Sequence, residues 1–184
     1  MIERVIKRLK KSKKISNIII VTSKHKVDDD IETFCKKKKI DIYRGSLNNV
    51  ASRFLEVSKI YNLKNMIRVS CDSPFIDSKL IDKGINFFKK SNYDMVTNVF
   101  PRTFPKGLSY EIFKTSILQK NFKIYSKKDK EHVTTFFYKN SKKFKIFNHS
   151  AINDYKKLNL CVDTHNDLSF LRKKYNKIIY RTFI

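Results

Sequence analysis

The chain has 184 residues, 41% of them apolar and 13% aromatic, with a formal charge of +24 from 41 Lys and Arg against 17 Asp and Glu. That is enough apolar material for one substantial core, and the charges interleave with apolar blocks, which excludes wholesale disorder. No apolar cluster approaches the roughly 20 residues that a membrane span needs, so a spanning protein is excluded as well.

Ile2, Val5, Ile6 and Leu9 recur at helical spacing without a continuous apolar run, so residues 1–11 read as a helix and not as a signal peptide. An apolar strand is expected over 17–22, then a helix over 28–38 with Ile31, Phe34 and Cys35 on one face, then a short strand at 40–43. Residues 48–61 read as a helix that Asn48 or Asn49 caps, and 66–70 as a buried strand. A helix over 77–90 carries Leu80, Ile81, Ile85 and Phe88, and strand character returns at 93–99.

Pro101, Pro105 and Gly107 mark an irregular loop. A strand at 109–113, helices at 115–122 and 130–139, strands at 144–148 and 159–162, and a helix at 164–175 complete the reading. Strands separated by helices of about a dozen residues predict an α/β fold with a mostly parallel sheet covered on both faces, in one domain over 1–184. Residues of about 100–150 form an insert at one end of that sheet, where ligands commonly lie outside the strand carboxyl ends.

The charge invites a polyanion, but 33 of the 41 cations are Lys beside abundant Ile and Asn, and compositional bias explains such an excess without a specific nucleic-acid partner. An RNA-binding α/β domain is the third-ranked reading, disfavoured by few Arg and no aromatic ribonucleoprotein motif. Cys35, Cys71 and Cys161 are odd in number and form no Cys-x-x-Cys pair, which predicts neither disulfides nor a thiolate zinc site, and a reducing cytoplasm as the setting.

Two carboxylates stand out. Asp72 follows an apolar run and precedes Ser73-Pro74, and Asp163 follows Leu160-Cys161-Val162 and precedes Thr164, which is able to cap the next helix. At the carboxyl ends of separate parallel strands, two such groups can converge on one divalent cation, whose hard charge prefers carboxylate oxygen. The alternative at this level is that Asp72 caps a turn and Asp163 a helix.

These segments in order resemble the nucleotide-sugar cytidylyltransferases, most closely the spore-coat polysaccharide SpsF type, relatives of the CMP-Kdo and CMP-sialate synthetases. The likeness runs through Met1-Ile-Glu-Arg-Val-Ile-Lys-Arg-Leu9, Val21-Thr22-Ser23, Tyr43-Arg44-Gly45-Ser46 with Asn49-Val50 and Arg53, and Arg68-Val69-Ser70-Cys71-Asp72-Ser73-Pro74-Phe75-Ile76-Asp77. It continues through Pro101-Arg102-Thr103-Phe104-Pro105-Lys106-Gly107-Leu108, Glu131-His132-Val133-Thr134 and Val162-Asp163-Thr164. The resemblance implies a three-layer Rossmann-like fold and transfer of a cytidylyl group from CTP to a sugar, commonly an acidic one, with release of pyrophosphate for surface polysaccharide or glycan synthesis. It also implies magnesium held by Asp72 and Asp163, and a homodimer.

By the same resemblance Ser23, Arg44, Gly45, Ser46 and Arg68 border the nucleotide, and Arg102, Gly107, Glu111, Glu131 and His132 the sugar. Read locally, Gly45 supplies freedom for positive φ and Ser46 begins a helix. Three departures accompany the likeness. Such relatives open with a strand and a Gly-, Ser- and Arg-containing phosphate loop, whereas this sequence starts at the helix after it, so an N-terminally truncated form is expected, whether an incomplete gene product, a misassigned start or a degenerate descendant. Cys71 stands where Gly usually precedes the metal Asp, and Gly107-Leu108-Ser109 where Gly-Leu-Asp is common. A catalytically inactive sugar-binding or dimerisation remnant is therefore the second-ranked reading.

Overall fold

The structure is a computed structural model that describes the backbone of residues 1–179 and side chains through residue 173. Its elements run α1 (Ile2–Leu9), β1 (Ile19–Ser23), α2 (Asp29–Lys38), β2 (Asp41–Gly45), α3 (Val50–Ile60), β3 (Asn65–Arg68), α4 (Ser78–Lys90), β4 (Met95–Thr97), β5 (Glu111–Lys114), α5 (Thr115–Asn121), α6 (Lys127–His132), α7 (Thr135–Lys139), β6 (Ile146–Asn148) and α8 (His165–Ile179). This is the expected α/β class. The described strands make two sheets, β1 with β2 in parallel and a second of order β3-β5-β4-β6 in which β4 and β6 are parallel. Contacts gather into two compact units, the first of residues 1–15, 67–112 and 145 onward, the second of 16–66 and 113–144.

In the second unit β1 and β2 register from Ile19 against Asp41 to Ser23 against Gly45, with α2 as the crossover between them. A parallel pair needs such a connection, because a tight hairpin can only reverse the chain. α2 stops where Lys39 takes a left-handed conformation at φ 52. Asn49 Oδ1 accepts the Ser52 amide at 3.0 Å and so starts α3, which buries Ala51, Val57 and Ser58. An aromatic cluster fills the rest of this core: Tyr125 stacks on Phe136 at 4.9 Å between ring centroids, and Phe137 meets Phe144 edge-on at 5.1 Å.

The single helix expected over 130–139 is two helices. Ser126 and Asp129 form a reciprocal capping box that starts α6 earlier, and Val133 ends it at φ 59 and ψ −60. The Thr134 amide donates to the His132 carbonyl at 2.6 Å, which makes Val133 the centre of a γ-turn of the rarer, strained hand. Val133 is fully buried, so its side chain is held in the core while the backbone breaks around it.

In the first unit α1 buries Val5, Ile6 and Leu9, and Arg8 Nε donates to the Ile76 carbonyl at 2.5 Å. Asp77 caps α4 by accepting the Lys79 and Leu80 amides, and Leu80, Ile81 and Ile85 enter the core. β4 is buried along its whole length. Just beyond it the Asn98 side chain accepts the Tyr110 amide at 2.9 Å and donates to the Leu108 carbonyl at 2.8 Å, tying the irregular loop to the strand that follows.

The strand expected over 159–162 is absent. Asn159 makes only an isolated bridge to Lys106, and its own Oδ1 accepts the Cys161 amide at 3.0 Å. A side chain that satisfies a nearby amide competes with a sheet ladder, which is why the apolar run stays irregular.

Candidate active site

Asp72 lies in a turn four residues beyond the end of β3, half-buried, with one carboxylate oxygen accepting the Ser73 hydroxyl at 2.7 Å. The Val162 amide donates to the Asp72 carbonyl at 2.9 Å, so the segment carrying Asp163 runs directly beside the turn carrying Asp72. Asp163 is exposed. The start of α8 is capped by Thr164, whose hydroxyl accepts the Asp167 amide at 3.1 Å while Asp167 accepts the Thr164 hydroxyl and amide at 2.7 and 2.8 Å. Helix capping therefore occupies Thr164 and Asp167, and the Asp163 carboxylate has no part in it.

Cys161 marks where these groups meet. Its thiol is pushed up from the ordinary value by burial first and then by the Asp72 carboxylate, offset by a hydrogen bond with Ser73; Asp163 raises it further and Arg102 lowers it. One half-buried sulfur thus senses both carboxylates and one guanidinium. Arg102 is half-buried and donates from Nη1 to the Ser109 hydroxyl at 2.9 Å. Gly107 sits at φ +90, and a Cβ there would stand 2.6 Å from the Leu160 carbonyl carbon and 2.9 Å from the Cys161 nitrogen. Only glycine allows that conformation and that approach, and the approach sets the irregular loop against the Asp163 segment.

Arg68 and Glu111 do not stand open to separate ligands. Arg68 Nη1 pairs with Glu111 Oε2 at 2.6 Å, and the Glu111 side chain is 6% exposed. The pair neutralises two charges that burial would otherwise make costly.

In the second unit Ser23 is buried and donates to Asp28 at 2.5 Å, and Arg44 commits all three guanidinium nitrogens internally: Nε to the Ser23 carbonyl, Nη1 to Glu32 and Nη2 to Asp29 and the His25 carbonyl. Gly45 is not at positive φ; it is a β2 residue at which a Cβ would lie 2.7 Å from Arg53 Cγ and 2.9 Å from the Tyr43 ring. Ser46 does not begin a helix. It is exposed and accepts the Asn49 amide at 3.2 Å, four residues before α3 starts. Glu131 and His132 are exposed at the end of α6, against the strained Val133.

Among the described residues no three His, Cys, Asp or Glu side chains converge as a metal-binding group. Asp72 and Asp163 offer carboxylate oxygen from adjacent segments, the donor chemistry a magnesium ion takes when waters and phosphate oxygens complete its shell. Sequence reading missed Cys161 as the meeting point, since a lone cysteine carries no spacing signal. Among the described residues no helix is long and apolar enough to cross a membrane.

A family model described as cytidylyltransferase matches residues 1–182. The chain is 36% identical over 148 residues to an uncharacterized protein of Methanocaldococcus jannaschii, covering 80% of this chain and 60% of that one. It is 28% identical over 167 residues to the spore coat polysaccharide biosynthesis protein SpsF of Bacillus subtilis, covering 88% and 68%. The chain thus spans about six to seven tenths of the length of these relatives. A solved cytidylyltransferase from Leptospira borgpetersenii superposes with a TM-score of 0.84 at 28% identity, covering 98% of this chain and 86% of that one. A CMP:2-keto-3-deoxy-manno-octonic acid synthetase solved with CTP superposes at 0.64 and 13% identity, covering 96% and 87%, a likeness of fold that agrees with the Rossmann-like expectation.

Proposed function

The chain belongs to the cytidylyltransferase family, and we propose that it transfers a cytidylyl group from CTP to a hydroxyl of an acidic sugar for surface polysaccharide synthesis, as a homodimer in the cytoplasm. The sugar oxygen attacks the α-phosphorus, the bond from that phosphorus to the bridging oxygen breaks, pyrophosphate leaves, and the hydroxyl proton passes to solvent. Asp72 and Asp163 are the residues that would hold a magnesium ion, which when bound neutralises triphosphate charge. Asp72 is oriented for this by the Ser73 hydroxyl, and Asp163 is left available by the Thr164 and Asp167 cap. Gly107 and Arg102 carry the sugar-side loop, with Ser109 holding the Arg102 guanidinium in place.

The observation that supports this reading most is the hydrogen bond from the Val162 amide to the Asp72 carbonyl, which sets the two carboxylate-bearing segments side by side. The test is pyrophosphate release from CTP with a panel of sugars. Release with carboxylate-bearing sugars and not with their neutral counterparts is expected; release with neutral sugars alone would remove the acidic substrate, and no release with any sugar would remove the transferase reading.

A further inference from the structure

In the first unit, one side chain just beyond β4 does for the irregular loop what a neighbouring strand would do. Asn98 is fully buried; its Oδ1 accepts the Tyr110 amide across 2.9 Å and its Nδ2 donates to the Leu108 carbonyl across 2.8 Å. A side-chain amide carries both a donor group and an acceptor, so it serves a carbonyl and an N–H in place of a backbone peptide. The two groups it serves belong to the residues on either side of Ser109. Ser109 is therefore gripped through its neighbours, and its own hydroxyl is left to bond elsewhere.

The neighbours are themselves fixed. Leu108 and Tyr110 are buried, and the Tyr110 hydroxyl shares a hydrogen bond with His149 Nδ1 at 2.7 Å. Gly84 leaves room for that phenol, since a Cβ there would lie 2.5 Å from its oxygen. Burial alternates through Leu108, Ser109 and Tyr110, the pattern of a chain whose successive side chains point to opposite faces. On the half-buried face the Ser109 hydroxyl accepts Arg102 Nη1 at 2.9 Å. Arg102 also lowers the pKa of the Cys161 thiol, the group on which Asp72 and Asp163 act, so its charge reaches the proposed site. A long side chain gives up much rotamer freedom when it is held, and a hydroxyl that cannot shift is what gives this guanidinium one direction.

We propose that Asn98 is a positioning residue for the sugar substrate, acting through Ser109 to fix the direction of the Arg102 guanidinium. What Arg102 meets rests on the transferase reading; how Arg102 is held rests on the hydrogen bonds alone. A merely structural Asn98 would weaken the fold and with it the use of both substrates alike. A positioning Asn98 separates them, because the side chain at the end of the chain of contacts belongs to the sugar-side loop. A reacting group misplaced by about 1 Å costs up to roughly a hundredfold, so a small turn of Arg102 is enough to be read.

The test compares the full chain with Asn98→Ala, Ser109→Ala and Ser109→Thr, the last of which keeps the hydroxyl. The heteronuclear NOE of the Arg102 Nε–H reads the order of that side chain by NMR with no substrate present. It is expected to be high in the wild type and in Ser109→Thr and to fall in both alanine variants. In pyrophosphate release from CTP with the carboxylate-bearing sugar that the wild type turns over, both alanine variants are expected to raise the Michaelis constant for the sugar by about tenfold or more. The constant for CTP should stay within about twofold, and Ser109→Thr should behave as the wild type. If Asn98→Ala does not fold, Ser109→Ala breaks the same chain of contacts one bond further on, at a half-buried position. An unchanged NOE in the alanine variants, or constants for sugar and CTP that rise together, would overturn the proposal. No release by the wild type removes the transferase reading; a fall in the NOE then still supports the hold of Asn98 on Arg102, and no fall overturns it.

Discussion

The Val162 amide donates to the Asp72 carbonyl across 2.9 Å, joining two stretches of chain that lie ninety positions apart in sequence. Neither stretch belongs to a strand, so this bond, together with the Lys106 contacts to Leu158 and Leu160, does the work that a sheet ladder was expected to do. Gly107 stands behind it, since its backbone meets that of Leu160 and Cys161 with no room for a Cβ. The proposed site is accordingly sensitive to the loop that supports it.

Gly107→Ala tests that dependence. The variant combines a strained φ with a backbone clash, and its melting temperature is expected to fall by an amount equivalent to at least about 1 kcal/mol. Thermal denaturation checks it, and an unchanged melting temperature would show that the loop tolerates the extra atom.

Arg68 and Glu111 answer differently to single and double substitution. Glu111→Gln leaves a partly buried guanidinium without its anion and is expected to cost about 3–5 kcal/mol, whereas Arg68→Met with Glu111→Leu together should cost much less. Urea denaturation of the two variants measures the difference, and equal losses would mean that the pair is not the unit that matters.

The alternation of apolar runs and amphipathic stretches made the fold class legible, because period-2 and period-3.6 patterns depend only on which face is buried. Asn49 was legible, with Asn48, as a cap position for the same local reason. What stayed hidden depends on groups distant in sequence. Val133 looks like an ordinary helix residue until the Ser126 box starts α6 early, and Gly45 looks like a turn glycine until Arg53 passes over it. Residues 159–162 read as a strand because an Asn side chain that captures a backbone amide leaves no mark on hydrophobic periodicity. Asp72 and Asp163 drew attention only through their place after apolar runs, and the cap by Thr164 and Asp167 was half visible in Thr164 alone.

Arg44 is expected to act through structure. Its side chain ties β2 to the start of α2, so Arg44→Met should lower the melting temperature, and the Michaelis constant for CTP should change little if activity is observed. A large rise in that constant with an unchanged melting temperature would return Arg44 to the nucleotide.

His149 makes stability depend on pH. Its ring is buried, hydrogen-bonded through Nδ1 to the Tyr110 hydroxyl at 2.7 Å, and packed edge-on against Phe87 and Phe104. Burial first, and the Lys83 charge second, hold its pKa below the ordinary 6.5. The unfolded chain therefore binds the proton more readily, so the contribution of this group is present above about pH 6.5 and is lost as pH falls from there toward the lowered folded value. Urea midpoints at a series of pH values should decline across that window, less so in His149→Gln, and a decline identical in the variant would assign it to other groups.

The most direct test of the shared role of Asp72 and Asp163 is pyrophosphate release from CTP by Asp72→Asn, Asp163→Asn and the double variant, each checked for an unchanged melting temperature. If the two side chains serve one ion, each single change should abolish most of the activity and the double change should add little, since groups acting as a unit are not additive. Wild-type rates in either single variant, or losses that multiply in the double, would contradict it.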